Sequence, residues 1–154
     1  KLTQAYNNLG NIYIRQGDLD QGIAYYNKTI EIDKNFAIPY VNRGNAYFNK
    51  GSLDQALSDC NKAIELDPEY PVSYNTRGTV YAKKGDLAQA LADFNRVIKI
   101  DPKSAEAYTN LAVVYFMKEE YNNSWANVEK VAQLGFSVDP NFMKELKRAS
   151  GREK

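Results

Sequence analysis

Residues 37–70 read AIPYVNRGNAYFNKGSLDQALSDCNKAIELDPEY, and this stretch decides the fold. In its first half Tyr40, Arg43, Gly44, Tyr47 and Phe48 recur at i, i+3, i+4, i+7 and i+8, one face of a helix. Gly51 stops that helix, as a glycine just past a helix end does. In the second half Leu53, Ala56, Leu57, Cys60, Ala63 and Ile64 form another helical face. Asp67-Pro68 ends it, because the residue before a proline avoids the helical region. Gly44 lets the two helices approach closely, and Tyr40 and Tyr47 fill the space on either side. A hairpin of this kind cannot bury its own apolar faces, so it needs stacked neighbours.

The neighbours recur at a spacing of 34 residues. Gly10, Gly44 and Gly78 share it, with Ala112 in the fourth slot. So do Tyr6, Tyr40, Tyr74 and Tyr108, and Tyr13, Tyr47, Tyr81 and Tyr115. Leu19, Leu53 and Leu87 follow it with Tyr121 last, and Gly17, Gly51 and Gly85 with Glu119 last. Four repeats result, 3–36, 37–70, 71–104 and 105–138, in which positions are counted from the first residue. Residues 139–149 read as a capping helix. Asp139 is its expected N-cap and Pro140 its first residue. Phe142, Met143 and Leu146 would cover the open end, and Lys144, Glu145, Lys147 and Arg148 would face water. Residues 151–154 are expected to fray.

This pattern resembles the tetratricopeptide repeat, W-x2-L-G-x2-Y, then A-x3-F, then P. Repeat three carries Tyr74, Arg77, Gly78, Tyr81, Ala90, Phe94 and Pro102 at those places; repeat two carries Tyr40, Arg43, Gly44, Tyr47, Ala56, Cys60 and Pro68. Repeat one departs at Gly22 and Lys34, and repeat four at Ala112, Ser124, Val128 and Phe136. The resemblance spans 136 of the 154 residues. It implies an all-α fold: one domain over 1–154, a right-handed α-α superhelix of four helix-turn-helix repeats plus the capping helix.

Composition narrows the chemistry. Apolar residues make up 44% and charged residues 25%, as in an ordinary soluble globular protein. No apolar run of about 18 residues is present, so no membrane span is expected. Lys plus Arg is 20 against 19 for Asp plus Glu, which argues against a nucleic-acid or membrane-surface binder. There is no histidine, and Cys60 is the one cysteine. Ser-His-Asp and Cys-His catalysis, His or four-Cys zinc sites and intrachain disulfides are thereby excluded. Asp33, Asp67 and Asp101 recur at helix ends and do not converge as a pair. No catalysis, metal or cofactor is expected. The lone cysteine fits a reducing compartment and hence a cytoplasmic location. The chain opens Lys1-Leu2-Thr3 without Met, and its first repeat has no cap, so further chain is expected before it.

The resemblance further implies a concave groove lined by the first helices, at positions 5, 6 and 9 of each repeat. Position 5 holds Asn7, Val41, Asn75 and Thr109; position 6 holds Asn8, Asn42, Thr76 and Asn110; position 9 holds Asn11, Asn45, Thr79 and Val113. Seven of these twelve are Asn and three are Thr, although Asn is a poor helix former. A side-chain amide presents an acceptor beside a donor, matching the N–H and C=O of one peptide unit. A row of amides is therefore expected to hold an extended peptide by its backbone; generic polar lining is the competing reading. Phe48 and Phe116 at position 12 are candidate anchors, with core packing as the alternative.

First-helix segments 3–17, 37–51 and 71–85 contain six bases and no acid, whereas the second-helix segments contain twelve acids and six bases. Arg15 and Lys83 are expected to favour an acidic partner. Arg43 and Arg77 occur in the two repeats that also carry Asp59 and Asp93, which predicts structural Arg–Asp pairs, within a repeat or with the repeat before. The family's two-carboxylate clamp for chaperone tails would use cations where Asn7, Val72 and Thr76 stand, although Asn11 and Asn42 fit it. The expected partner is a protein or peptide, with no nucleic acid and no membrane. Self-association through the repeat ends, as a scaffold, and service as the substrate-docking arm of a larger enzyme are the alternatives.

Overall fold

The computed structural model describes residues 1–152, and every regular element among them is a helix. The order is α1 (Leu2–Arg15), α2 (Leu19–Ile32), α3 (Ala37–Asn49), α4 (Leu53–Leu66), α5 (Pro71–Lys84), α6 (Leu87–Ile100), α7 (Ala105–Met117), α8 (Tyr121–Gln133) and α9 (Pro140–Ser150). The all-α repeat architecture is thus present, with two helices per 34-residue period and one helix after the last. Two compact units result, Lys1–Val80 and Tyr81–Lys154, and their boundary lies inside α5.

Turn chemistry explains the helix ends. Gly17, Gly51 and Gly85 adopt φ of 84°, 79° and 84°, a left-handed conformation that glycine tolerates without a steric cost. Glu119 holds the same position in repeat four at φ 61°. Asp18 and Asp86 cap α2 and α6 by accepting from the Gln21 and Gln89 backbone N–H at 3.0 and 3.2 Å.

In the N-terminal unit the core forms where helices cross. Ile23 and Tyr26 of α2 meet Ala46 of α3, with Ile14 and Tyr47 alongside. Ala37, Tyr40 and Val41 of α3 meet Ala63 of α4, with Ile30, Leu66 and Tyr70 alongside. The position-4 tyrosines pack and also close the repeat junctions. The Tyr40 and Tyr74 hydroxyls donate to the Lys34 and Pro68 carbonyls, each at 3.1 Å. Gly10 faces the Tyr26 ring so closely that a Cβ would lie 2.5 Å from its Cε1.

In the C-terminal unit Ala90 and Phe94 of α6 cluster with Leu111 and Val114 of α7. Repeat four departs from the repeat pattern because it meets the cap. Ser124 is buried and donates to the Ala112 carbonyl at 2.8 Å. Ala112, Trp125 and Val128 form one cluster with Leu146 of α9, flanked by Phe142 and Met143. Asp139 accepts from the Asn141 and Phe142 N–H at 2.8 and 3.0 Å, and Pro140 begins the helix, as expected. Of the residues expected to fray, Gly151 is the left-handed C-cap of α9, and 153 and 154 lie outside the described residues.

Candidate functional site

The sequence places an amide row on the first helices, and the structure shows what each amide does. Asn7 is buried, and its Oδ1 accepts from Asn42 Nδ2 at 3.0 Å. These two form a strut between α1 and α3. Asn11 Oδ1 accepts from the Tyr26 hydroxyl at 2.7 Å. Burial pushes that hydroxyl up to about 12. Asn8 is exposed, and its Oδ1 accepts from Gln4 Nε2 at 3.1 Å. Asn45 is exposed and has no hydrogen-bond partner among the described residues.

Farther along the N-terminal unit the lining is less open. Thr76 is buried. The Thr79 hydroxyl donates to the Asn75 carbonyl at 2.9 Å, the i−4 bond typical of threonine inside a helix. Asn75 is half-buried and already engaged within the protein. Phe48 is half-buried on α3.

The C-terminal unit carries the remaining candidates. Lys83 is exposed at the end of α5. Asn110 is half-buried and engaged. Phe116 packs at the seam with the cap, 5.6 Å from the Phe142 ring in an edge-on arrangement and 5.8 Å from Tyr121. Val113 and Met117, one turn apart on α7, are 36% and 49% exposed.

Of the first-helix bases, several are committed to internal partners. Arg43 Nε and Nη2 donate to both Asp59 carboxylate oxygens at 2.8 and 2.7 Å, so the expected pair forms within repeat two. Its Nη1 donates to Asn27 of repeat one at 2.6 Å, and its guanidinium lies 5.6 Å from the Tyr40 ring. Burial opposes the Arg43 charge, but the hydrogen bonds and charge of Asp59 outweigh it and hold the group above the usual arginine value. Arg77 Nη1 repeats the cross-repeat contact, donating to Asn61 at 2.7 Å. Lys50 pairs with Asp20. Arg15 and Lys83, in contrast, are exposed and have no partner among the described residues.

Sequence reasoning missed Tyr26, Asn27, Asn61 and Gln4 as partners of these groups. Asn27 and Asn61 both stand at position 25, each in the repeat before one that carries arginine at position 7, a joint occurrence that marks the contacts; Asn95, which precedes Leu111, donates instead to the Leu91 carbonyl at 2.8 Å. Among the described residues no cluster of His, Cys, Asp or Glu could hold a metal ion, and no helix is long and apolar enough to cross a membrane.

Comparison with known proteins places this arrangement. Models of the tetratricopeptide repeat match residues 3–36 and 37–70, and two further models of the same repeat match 60–92 and 78–118. No curated protein sequence is a significant match. Among solved structures, the first TPR of Spaghetti (RPAP3) bound to the HSP90 peptide SRMEEVD is 30% identical, with a TM-score of 0.73 over 75% of this chain and 92% of that one. The second TPR domain of human RPAP3, in complex with the HSP70 peptide SGPTIEEVD, is 29% identical, with a TM-score of 0.69 over 73% and 94%. MamA from Desulfovibrio magneticus RS-1 is 22% identical, with a TM-score of 0.81 over 99% and 86%, a likeness of fold.

Proposed function

The chain belongs to the tetratricopeptide repeat family, and on that premise we propose that it is a non-catalytic interaction module that holds an extended acidic peptide on its first helices. The observation that carries this reading is the open amide face of the N-terminal unit. Asn45 on α3 is exposed and unpartnered, Asn8 on α1 keeps its amide N–H groups unused, and Arg15 stands exposed and unpaired seven residues beyond Asn8 on α1, about two helical turns. The helices α1 and α3 contain no acid. Such a face offers peptide-shaped donor and acceptor pairs in a positive field.

The acidic preference draws support from the two peptide complexes among the structural relatives, whose peptides both end in EEVD. The mode of holding differs from a two-carboxylate clamp, because Asn7, Val72 and Thr76 stand where that clamp needs cations. Backbone capture replaces it. Each amide bond contributes about 1 kcal/mol net, and several together give on the order of micromolar affinity after association costs.

Fluorescence anisotropy with ten-residue extended peptides tests the reading, one set rich in Asp and Glu and one with Asn and Gln in their places. The acidic set should bind saturably and several-fold more tightly. The Asn8→Ala, Asn45→Ala and Arg15→Gln triple variant should lose most of that binding while keeping its helicity. Absence of saturable binding, or binding unchanged in the triple variant, would refute it.

A further inference from the structure

Helix α7 is packed on both sides and still leaves two apolar side chains open. Leu111 and Val114 cluster with Ala90 and Phe94 of α6, and Ala112 clusters with Trp125 and Val128 of α8 and Leu146 of α9. Val113 and Met117, at positions 9 and 13 of repeat four, stay 36% and 49% exposed. Because neighbouring helices already cover the two flanks of α7, this opening belongs to the first-helix face that carries the amides elsewhere.

The residue types at these two positions change along the chain. Position 9 holds Asn11, Asn45, Thr79 and Val113; position 13 holds Arg15, Asn49, Lys83 and Met117. Repeats one to three carry amides, a hydroxyl or a cation there, and repeat four alone carries two apolar residues. Four residues apart on a helix, Val113 and Met117 are neighbours. Phe116, the aromatic expected from the sequence as an anchor in this repeat, packs edge-on against Phe142 instead. The apolar group offered to a ligand is therefore the Val113 and Met117 pair, and covering it with a partner's side chain is favourable.

Charge stands beside this pair. Tyr81 and Ala82 at the end of α5 pack against the cluster that holds Leu111 and Val114, so the end of α5 that bears Lys83 lies alongside α7. Lys83 is exposed and has no partner among the described residues. Glu119, exposed on the turn after α7, repels a carboxylate on its own side, which leaves the Lys83 side for an acid. Packed helix axes lie about 8–10 Å apart, and an extended peptide covers that distance in roughly three residues.

We propose that Val113 and Met117 form an anchor subsite for one aliphatic side chain of the bound peptide, with Lys83 taking a carboxylate two or three residues away. The inference rests on the peptide-binding reading and adds a sequence requirement to it: acidity brings the peptide in, and an aliphatic residue at a fixed spacing from an acid sets its register. Methionine suits the role, because its unbranched and polarizable side chain adapts to the group it meets.

The chain has two methionines, Met117 and the half-buried Met143 of the cap, so ε-13C-methyl labelling gives two signals, which Met117→Leu assigns. The probes are two ten-residue peptides of Asp, Glu and Ser that differ at one central place, Leu in one and Ser in the other. The Leu peptide should shift the Met117 signal saturably and leave Met143 in place. By fluorescence anisotropy it should bind about tenfold more tightly than the Ser peptide. Val113→Thr with Met117→Gln makes α7 polar like the other first helices. That variant should lose the preference for Leu and keep its affinity for the Ser peptide, with unchanged thermal unfolding verifying its fold. Lys83→Gln should weaken the Leu peptide several-fold. Equal binding of both peptides, or binding that leaves the Met117 signal unmoved, would overturn the subsite and leave the peptide-binding reading standing. No saturable binding of either peptide would overturn both. A Met117 signal that moves with protein concentration alone would overturn the subsite too, by giving the pair to a second copy.

Discussion

Arg43 and Asp59 form a two-pronged pair, Nε to Oδ2 at 2.8 Å and Nη2 to Oδ1 at 2.7 Å, in a site where Asp59 is only 6% exposed. Breaking one side strands a buried carboxylate, which costs more than the pair contributes. Arg43→Leu should therefore lower stability by roughly 3 kcal/mol in urea unfolding. Arg43→Leu with Asp59→Asn copies the Leu111 and Asn127 combination of repeat four, and should return to within about 1 kcal/mol of the parent. A double variant as unstable as the single would contradict this account.

Gly10→Ala should cost about 1–3 kcal/mol by overpacking, because its Cβ would fall 2.5 Å from a Tyr26 ring that Asn11 holds in place. Gly44→Ala should cost less, since its nearest neighbour is Cys60 Sγ at 3.2 Å. Paired thermal melts decide between them, and the opposite order would count against the packing argument.

At Glu119 the reverse holds. A non-glycine residue at φ 61° bears a left-handed strain that Gly17, Gly51 and Gly85 avoid. Glu119→Gly should raise stability by up to about 1 kcal/mol, less the entropy that glycine loses on folding. Melting temperature reads this directly, and a lower value would show the loop to be held by other contacts.

Tyr26 makes stability depend on alkaline pH. Its hydroxyl stays protonated in the folded chain up to about 12, whereas an unfolded tyrosine ionises near its ordinary value of 10.0. The contribution is complete below that lower value and is lost progressively as pH climbs through this window, by on the order of 2 kcal/mol. Urea unfolding across the window should show the slope in the parent and a shallower one in Tyr26→Phe.

Trp125, the one tryptophan, reports on the cap. Its Nε1 donates to Ser150 Oγ at 3.0 Å, and its ring clusters with Leu146. Ser150→Ala should cost about 1 kcal/mol, and Leu146→Ala about 2–5 kcal/mol. Tryptophan emission should shift to the red when α9 detaches, at lower urea in both variants.

The fold was legible because a period of 34 constrains every repeat at once. Gly51, Asp67-Pro68 and Asp139-Pro140 mark helix ends by local chemistry that needs no partner. The Arg43–Asp59 pair was legible through joint occurrence in the two central repeats. The amide row was legible only as a list of positions. Spacing puts Asn7 and Asn11 on one face, but an amide takes whichever partner comes first. Asn42 reaches Asn7, and a tyrosine at position 24, found only in repeat one, reaches Asn11. Such competition is settled by distances across helices, which one helix's periodicity does not contain.

The contact of Arg43 with Asn27, echoed by Arg77 with Asn61, makes the middle of the chain self-compatible. Repeat two carries both halves of this joint, Arg43 ahead and Asn61 behind. A duplicated copy of 37–70 inserted after residue 70 would meet Asn61 with its own arginine. Repeat four, with Leu111 and Glu129, offers neither half. The protein is thus extensible from within, where duplication adds length without redesigning a joint.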